Sequence, residues 1–202
     1  MQPSPVEHTS RVQGKAKGTI LLHLRDFVTR EAGADTWTQL VDGLPAEDRS
    51  LLGSMLLVGS WYPVGAWNRL LGAFLSGHYR DSDAGMAEVA RFIAERDLNM
   101  VFKLILKMGS PEFLLKRTGS IWARYFDAGD LTHQELAPKR WRLDLTVAEG
   151  GPEAAPDRHT CGPGVAAWIQ RGLEITGVRG RVELVDTRSE GPLRRYEYRA
   201  TW

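Results

Sequence analysis

The hydrophobic period of the chain changes once, near Gly129, and this change limits the folds that the sequence can adopt. Before Gly129, apolar residues recur at the spacing of amphipathic helices, as Ile20, Leu24 and Phe27 do in GTILLHLRDFVTREAG. After it, segments such as RWRLDLTV alternate polar and apolar residues, which is the period of a half-buried strand. The sequence therefore predicts an α+β fold, with N-terminal helices packed on a sheet.

The C-terminal part has a definite order of elements. DLTHQELAPKRWRLDLTV reads as a hairpin, a loop follows over 148–164, and a helix is predicted over 164–176. RVELVDTR and LRRYEYRATW then form a second hairpin around SEGP. This β-β-α-β-β order predicts a four-stranded antiparallel sheet, because such a sheet can leave one face for helices to cover. The long loop is a candidate functional segment.

The length of 202 residues suits one domain. We predict that this domain spans 17–202, with a helical part at 17–129 and a sheet part at 130–202. Residues 1–16 are rich in Pro, Ser, Gln and charge, and they are predicted to form a disordered tail.

Charge and cysteine content narrow the classes of partner. The 26 basic and 25 acidic side chains nearly balance, which argues against a broad surface for nucleic acid or anionic lipid. A single cysteine cannot form an internal disulfide or a zinc site. The longest apolar stretch is interrupted by Pro63 and contains Arg69, so no membrane span is expected. A soluble cytoplasmic protein is predicted.

Several segments resemble a known superfamily of ligand-binding domains. KGTILLHLRDFVTREAGADTWTQLVDGL resembles the opening of haem nitric-oxide-binding domains, and CGPGVAAWIQRGLEITG with the final YEYRATW resembles the closing half of the 4-vinyl-reductase type. The Bet3-like subunits of the Golgi transport complex share this β-β-α-β-β order. Through WYPVGAWNRLLGAF and SPEFLLKRTGSIWARYFDAG, the chain most resembles a set of myxobacterial paralogues of unknown function. The resemblance implies a fold that encloses haem, a small aromatic molecule or an acyl chain, and that can dimerise through helices.

The chain also departs from these relatives. Haem-binding relatives carry a proximal histidine and a Tyr-x-Ser-x-Arg motif for the haem propionates. The sequence has no Tyr-x-Ser-x-Arg, and DLNMVFKLILKMGSPEF, where the histidine is expected, has no histidine. The 4-vinyl-reductase type often has further cysteines in its final hairpin, where Thr187 and Arg195 stand here. We therefore predict no cofactor, and haem in particular is not expected.

Cys161 and His159 are candidate reactive residues. A thiol before a helix N-terminus has a lowered pKa, and a histidine two residues away could act as its base. The alternative, which we favour, is that Cys161 is a small buried apolar residue, because no third residue that would orient the histidine is evident.

No histidine has a spacing typical of metal ligands, so no metal site is predicted. His23 on the first helix is expected to be hydrogen-bonded or exposed.

Two other sets of side chains could bind a ligand. Lys116, Arg117, Arg194 and Arg195 could bind an anion, although such residues more often form a solvated face. Large aromatic residues line apolar pockets, but they fill cores more often. If a cavity exists, its predicted lining is Trp67, Leu71, Phe102, Phe113, Trp122 and Trp168.

These observations favour a non-enzymatic sensor or adaptor module, in bacterial signalling or regulation, that acts by binding a protein partner or a second copy of itself. The alternative is a small-molecule receptor with an apolar pocket for a lipid-like or aromatic ligand. A second alternative is an enzyme that depends on Cys161. A receptor requires a cavity with a few convergent polar groups, an adaptor requires an exposed apolar patch, and a cysteine enzyme requires an accessible thiol.

Overall fold

A layer of helices covers one face of a four-stranded antiparallel sheet in the computed structural model, which describes residues 13–100 and 110–202. The strands of the main sheet are β3 (Asp130–Ala137), β4 (Arg140–Ala148), β5 (Arg181–Glu190) and β6 (Leu193–Thr201). Their order across the sheet is β3-β4-β6-β5, and every neighbouring pair is antiparallel. The predicted fold class is confirmed.

One face of the sheet forms the floor of the core. Leu143 lies opposite Tyr198 in the register of β4 and β6, and Leu145 lies opposite Tyr196. All four side chains are buried with apolar residues of the helices in one cluster. The alternation therefore marks the buried face of β4 and β6 correctly, because successive side chains of a strand point to opposite faces.

The helical layer follows the predicted order, and its ends follow local chemistry. Gly33 ends the first helix with φ +89°, a conformation that costs glycine little, and its N–H donates to the carbonyl of Thr29 at 3.0 Å. Pro63 stands directly before the fourth helix, so the helix restarts where the sequence predicted. The helices are α1 (Gly18–Ala32), α2 (Ala34–Asp42), α3 (Ala46–Leu52), α4 (Val64–Tyr79), α5 (Asp83–Met100), α6 (Pro111–Leu115), α7 (Thr118–Tyr125) and α8 (Val165–Ile175).

A short two-stranded sheet differs from the predicted tail. β1 (Lys15–Lys17) pairs with β2 (Trp61–Pro63), and Ala16 lies opposite Tyr62. Ala16 is fully buried, because it also forms a bridge with Phe126. The predicted disordered segment 1–16 therefore reaches too far along the chain, and its residues 1–12 lie outside the described residues.

Two helical predictions differ locally. The helix predicted from Pro111 onward is divided into α6 and α7 at Lys116 and Arg117. The predicted turn before the last helix is instead a π-helical segment, Thr160–Gly164, that continues into α8. Cys161 therefore lies within a helical segment rather than before one. The ambiguous segment MVFKLILKMG, predicted as a helix, lies outside the described residues except for its first residue.

No helix in the described ranges is long and apolar enough to cross a membrane.

Candidate functional site

A pocket of about 70 Å³, which we call the cavity, lies where the helices meet the sheet. Trp67 of α4, Trp122 of α7 and Trp168 of α8 contribute indole rings to its wall. The other lining residues come from α1, α5, α7 and the residue after it, β3, the π-helical segment and α8: Ile20, Met86, Ala90, Ile93, Thr118, Ile121, Tyr125, Phe126, Leu131, Thr160, Gly164, Val165 and Ile169. The wall is therefore almost wholly apolar.

The polar atoms of the cavity wall are largely used within the fold. Trp67 Nε1 donates to Thr160 Oγ1 at 3.1 Å, and Trp122 Nε1 donates to the carbonyl of Ala128 at 3.0 Å. Thr118 Oγ1 donates to a backbone carbonyl one turn away at 2.8 Å. Phe126 packs between the two indoles, with ring centroids 4.7 Å from Trp122 and 6.1 Å from Trp67. The cavity thus offers aromatic faces and few unsatisfied hydrogen-bonding groups.

The structure brings together only some of the predicted lining residues. Trp67, Trp122 and Trp168 line the cavity. Leu71 is buried in the core but is not part of the wall, and Phe113 lies under the guanidinium of Arg117 at 4.4 Å. Phe102 lies outside the described residues. Met86 and Tyr125 were not selected from the sequence, although their helical spacing from other apolar residues was a usable signal.

A second, larger space lies on the other side of part of this wall. It is a cleft of about 620 Å³ between α1, the end of α5, α7 and Trp168. Ile121, Tyr125 and Trp168 line both spaces, so they form a partition between them. Unlike the cavity, the cleft has charged and polar side chains in its wall, among them His23 and Asp97.

His23 and Asp97 form a buried pair in this cleft. His23 Nδ1 lies 3.2 Å from Asp97 Oδ1, and both side chains are largely buried. Burial raises the pKa of Asp97, and the hydrogen bond from Tyr125 only partly offsets this shift. Burial also lowers the pKa of His23, against the attraction of Asp97, and raises that of Tyr125. Each group is thus shifted toward its neutral form. The sequence could not reveal the pair, because its members are far apart in the chain.

Cys161 and His159 make their contacts in different directions. The Cys161 thiol is fully buried and donates to the carbonyl of Pro156 at 3.3 Å, and burial raises its pKa well above the ordinary value. His159 Nε2 lies 3.0 Å from Asp81 Oδ1. A buried thiol with a raised pKa is a poor nucleophile. This arrangement corresponds to the alternative that we favoured, a small buried side chain.

The four basic residues of the predicted anion site lie in two places. Lys116 Nζ lies 5.9 Å from the ring of Trp141. Trp141 lies opposite Ala200 in the register of β4 and β6, and Arg194 is six residues before Ala200 on β6. This separation corresponds to about 20 Å of strand. Arg194 is paired with Glu149 at 2.5 Å and Arg195 with Asp144 at 2.8 Å. The fold does not bring the four cations together. The described residues contain no group of three His, Cys, Asp or Glu side chains placed to bind a metal ion.

Comparison with known proteins gives matches at the level of structure only. No protein-family model matches the sequence. No curated protein matches it either.

Solved H-NOX domains share the fold. A structure described as probing the function of haem distortion in the H-NOX family superposes with a TM-score of 0.70 at 11% identity, over 92% of this chain and 94% of that chain. An oxygen-binding H-NOX domain related to soluble guanylate cyclases gives a TM-score of 0.66 at 12% identity, covering 92% and 94%. A mutant of the unliganded Fe(II) H-NOX protein from K. algicida gives a TM-score of 0.65 at 14% identity, over 92% of this chain and 97% of that chain.

These matches bear out the resemblance to haem nitric-oxide-binding domains for the fold. The resemblances to the 4-vinyl-reductase type, the Bet3-like subunits and the myxobacterial paralogues stay predictions. The matches also contradict the prediction of no cofactor and no haem, because they point to haem as the cofactor to consider. That prediction relied on two short motifs. A haem is also held by apolar walls, and Met and Tyr side chains also serve as axial ligands of haem iron.

The cavity matches a haem in chemistry more closely than in size. Its aromatic faces suit a flat apolar ring, and Met86 and Tyr125 are side chains of the types that ligate haem iron. Its volume of about 70 Å³ is well below the several hundred Å³ of a typical ligand pocket. A ligand of porphyrin size would therefore require the aromatic wall to open.

Proposed function

We propose that the protein is a non-enzymatic sensor domain that binds a small apolar ligand between its helices and its sheet. Haem is the first candidate for this ligand. The observation that carries the proposal is the aromatic cavity, which lies in a fold shared with solved H-NOX domains over 92% of the chain. An apolar cavity with few polar groups favours flat or hydrocarbon-like ligands over polar metabolites.

Met86 is the side chain that best suits an iron ligand in this cavity. Its thioether is neutral and polarisable, so it can bind a metal without losing a proton. Tyr125 is less suited, because burial and the charge of Asp97 raise its pKa and so disfavour the phenolate that would bind iron. Bound haem would supply an iron able to bind a diatomic gas. The rings of Trp67, Trp122 and Phe126 would exclude water from the site.

Haem reconstitution tests this assignment. Purified protein is mixed with haemin, passed through gel filtration and examined by absorption spectroscopy. We expect one haem per chain and a Soret band shifted from that of free haemin. Met86→Leu should shift this band and weaken haem binding by about tenfold or more, because it removes the iron ligand. Met55→Leu is the matched control, because Met55 is 83% exposed. Haem that elutes apart from the protein, or equal spectra for all three proteins, would contradict the assignment.

Native mass spectrometry, followed by denaturing mass spectrometry of the same fresh sample, tests the wider proposal. A bound mass that leaves on denaturation identifies the ligand class without assuming haem. A bare chain mass in every preparation, together with failure to bind haemin, would count against the sensor proposal as a whole.

An adaptor that binds a protein partner is the second candidate function. Its supporting observation is the segment between α3 and β2, where Met55, Leu57 and Val58 are 83%, 54% and 61% exposed. The segment is held in place, since Tyr62 Oη accepts from Leu57 N and Thr19 Oγ1 donates to Val58 O. Exposed apolar groups on an ordered segment are typical of interaction surfaces.

Sedimentation equilibrium tests self-association through this segment. If two copies meet there, Met55→Asp together with Val58→Asp should raise the dimer dissociation constant by about tenfold or more. Val185→Asp, which alters another exposed apolar residue on β5, is the control. A monomer at all concentrations, or equal dissociation constants for both variants, would argue against this form of the adaptor function.

A further inference from the structure

The chain segment before α8 leads directly into the wall of the aromatic cavity. It lies within the long loop that the sequence predicts as a candidate functional segment, and we call its residues 152–157 the strap. Three residues further on, Thr160 begins the π-helical segment, lines the cavity and accepts a hydrogen bond from Trp67 Nε1 at 3.1 Å. A displacement of the strap therefore moves Thr160 and widens the cavity on this side.

A single side chain of α4 forms three hydrogen bonds to the strap. Asn68 Nδ2 donates to the carbonyl of Pro152 at 2.7 Å and to that of Ala155 at 3.0 Å. Asn68 Oδ1 accepts from the backbone N–H of Asp157 at 3.0 Å. Asn68 is only 6% exposed, so loss of its amide would leave polar groups of the strap unpaired in a mostly buried place.

An ion pair adds a weaker attachment. Arg69, the next residue of α4, pairs with Glu153 of the strap, and its Nη2 donates to Asp48 Oδ1 at 3.0 Å. The side chains of Arg69 and Glu153 are 33% and 39% exposed, so solvent weakens their attraction. A Cβ at Gly65 would overlap the Glu153 carboxylate, which therefore rests directly on the first turn of α4. Asn68 is thus the stronger of the two attachments.

The strap buries little apolar area of its own. Its buried side chains are the small ones of Ala154, Ala155 and Pro156. The Glu153 carbonyl accepts from the Gly14 N–H at 2.9 Å, and beyond the strap Arg158 and His159 both contact Asp81, whose side chain is 48% exposed. Segments with few buried apolar contacts open at a lower free energy than the core of a protein.

Both ends of this segment are suited to a hinge. Gly150 and Gly151 precede the strap, and Gly151 has φ +84°, a conformation that glycine adopts at little cost. At the other end the carbonyl of Cys161 accepts a hydrogen bond from Tyr198 of β6, which keeps the following chain on the sheet. The π-helical geometry that begins at Thr160 is rare and is found most often at functional sites. Residues 152–160 can therefore move together while α8 stays in place.

We propose that residues 152–160 form a gate of the aromatic cavity, with Asn68 as the latch that keeps it closed. The open gate admits or releases a ligand too large for the closed cavity of about 70 Å³. This inference rests on the proposed ligand-binding function and adds the route by which the ligand enters. Most of the other lining residues belong to α-helices, whereas on this side the wall continues into a segment held mainly by one side chain.

The cysteine of the chain reports the opening of the gate without any ligand. The Cys161 thiol is fully buried and donates to the carbonyl of Pro156, so the strap covers it. 4,4′-Dithiodipyridine should label the thiol of the free protein slowly. Asn68→Ala should raise the labelling rate by about tenfold or more, because it removes three hydrogen bonds of the closed state.

Gln170→Ala is the matched control for Asn68→Ala. The Gln170 amide also bonds two backbone groups, at 2.6 and 2.8 Å, but it joins α8 to the chain at the start of β5. Its loss should therefore destabilise the fold without releasing the strap. Equal labelling rates for the two variants would overturn the latch.

Stopped-flow absorption with haemin tests whether the gate is the route of the ligand. Haemin should enter and leave Asn68→Ala at least about fivefold faster than Gln170→Ala, with a dissociation constant changed by less than about threefold, because a gate alters both rates alike. Equal rates, or a rise in the dissociation rate alone, would overturn the gate and leave the proposed function intact. Absence of haemin binding in all proteins would instead contradict the haem assignment, and the labelling rates would then decide the latch by themselves.

A milder variant decides the question if Asn68→Ala does not fold. Gly65→Ala places a methyl group where the Glu153 carboxylate lies, so that this flexible side chain must move away from Arg69. The labelling rate of Cys161 should rise by about twofold to threefold. Gly72→Ala on the same helix is the matched control, because a Cβ there meets nothing within 4 Å. Equal labelling rates for the two glycine variants would overturn the proposal.

Discussion

The aromatic cavity and the polar cleft share a partition but differ in how their polar atoms are used. On the cavity side, the indole N–H groups of Trp67 and Trp122 are both hydrogen-bonded within the fold. On the cleft side, Asp97 Oδ2 and Trp168 Nε1 are buried without aligned partners. The indole N–H groups that belong to the cavity alone are thus satisfied within the protein. The cleft side is satisfied less completely, because Tyr125 and Trp168 interact with the Asp97 carboxyl and burial still leaves its pKa raised.

The largest loss of stability should come from a substitution on the cavity side. Trp67 is fully buried, so Trp67→Ala removes an indole from the packed core. We expect the free energy of unfolding to fall by about 3–5 kcal/mol. Urea unfolding measures it, with Trp61→Ala as the control. Trp61 is 40% exposed, and its replacement should cost less than about 1 kcal/mol. Similar losses for the two variants would mean that Trp67 is not part of a close-packed wall.

A smaller effect should follow when one hydrogen bond of the cavity is removed. Thr160→Val keeps the shape of the side chain but leaves Trp67 Nε1 buried without an acceptor. The expected loss is about 1–3 kcal/mol in the free energy of unfolding. Thr187→Val, an exposed position on β5, serves as control and should change stability by less than about 0.5 kcal/mol. If Thr160→Val leaves the free energy of unfolding unchanged, the stability of the cavity side does not depend on hydrogen-bonded N–H groups.

The cleft side should respond to pH. Because the pKa of His23 is lowered in the folded protein, the unfolded chain takes up the proton more readily as the pH falls below about 6.5. His23 therefore makes the free energy of unfolding decrease toward lower pH. His23→Gln should reduce this decrease between about pH 7.5 and pH 5.5. Urea unfolding at both pH values measures the difference, with His78→Gln as control. If the free energy of unfolding of His23→Gln falls by the same amount between the two pH values, His23 is not buried beside Asp97 as described.

The smallest effect on stability should come from Trp168→Phe. The replaced N–H makes no aligned hydrogen bond, so its loss removes no strong interaction within the fold. The free energy of unfolding should fall by less than about 1 kcal/mol, because the smaller ring removes only a little apolar packing from the partition. Thermal unfolding without added ligand tests this. A loss as large as that of Thr160→Val would show that the Trp168 N–H is bonded in the fold, and the contrast between the two sides would fail.

Much of the fold could be predicted from local chemistry. Gly33 and Pro63 mark a helix end and a helix start because each acts through its own backbone geometry. The four strands follow from the alternation after Gly129, and so does the buried face of β4, whereas β5 has no buried side chain. The division between α6 and α7 and the π-helical segment at Thr160–Gly164 could not be predicted, because they depend on how these helices pack against the rest of the molecule.

The candidate sites divide in the same way. The sequence by itself determined the helices, the sheet and the supply of large aromatic side chains, because hydrophobic period and turn chemistry act between near neighbours in the chain. Only the tertiary structure decided that Trp67, Trp122 and Trp168 share one cavity. It also decided that His23 meets Asp97, that Cys161 is fully buried, and that Lys116 and Arg194 stay apart. Such contacts join residues from distant segments, and they exist only after the helices have packed on the sheet.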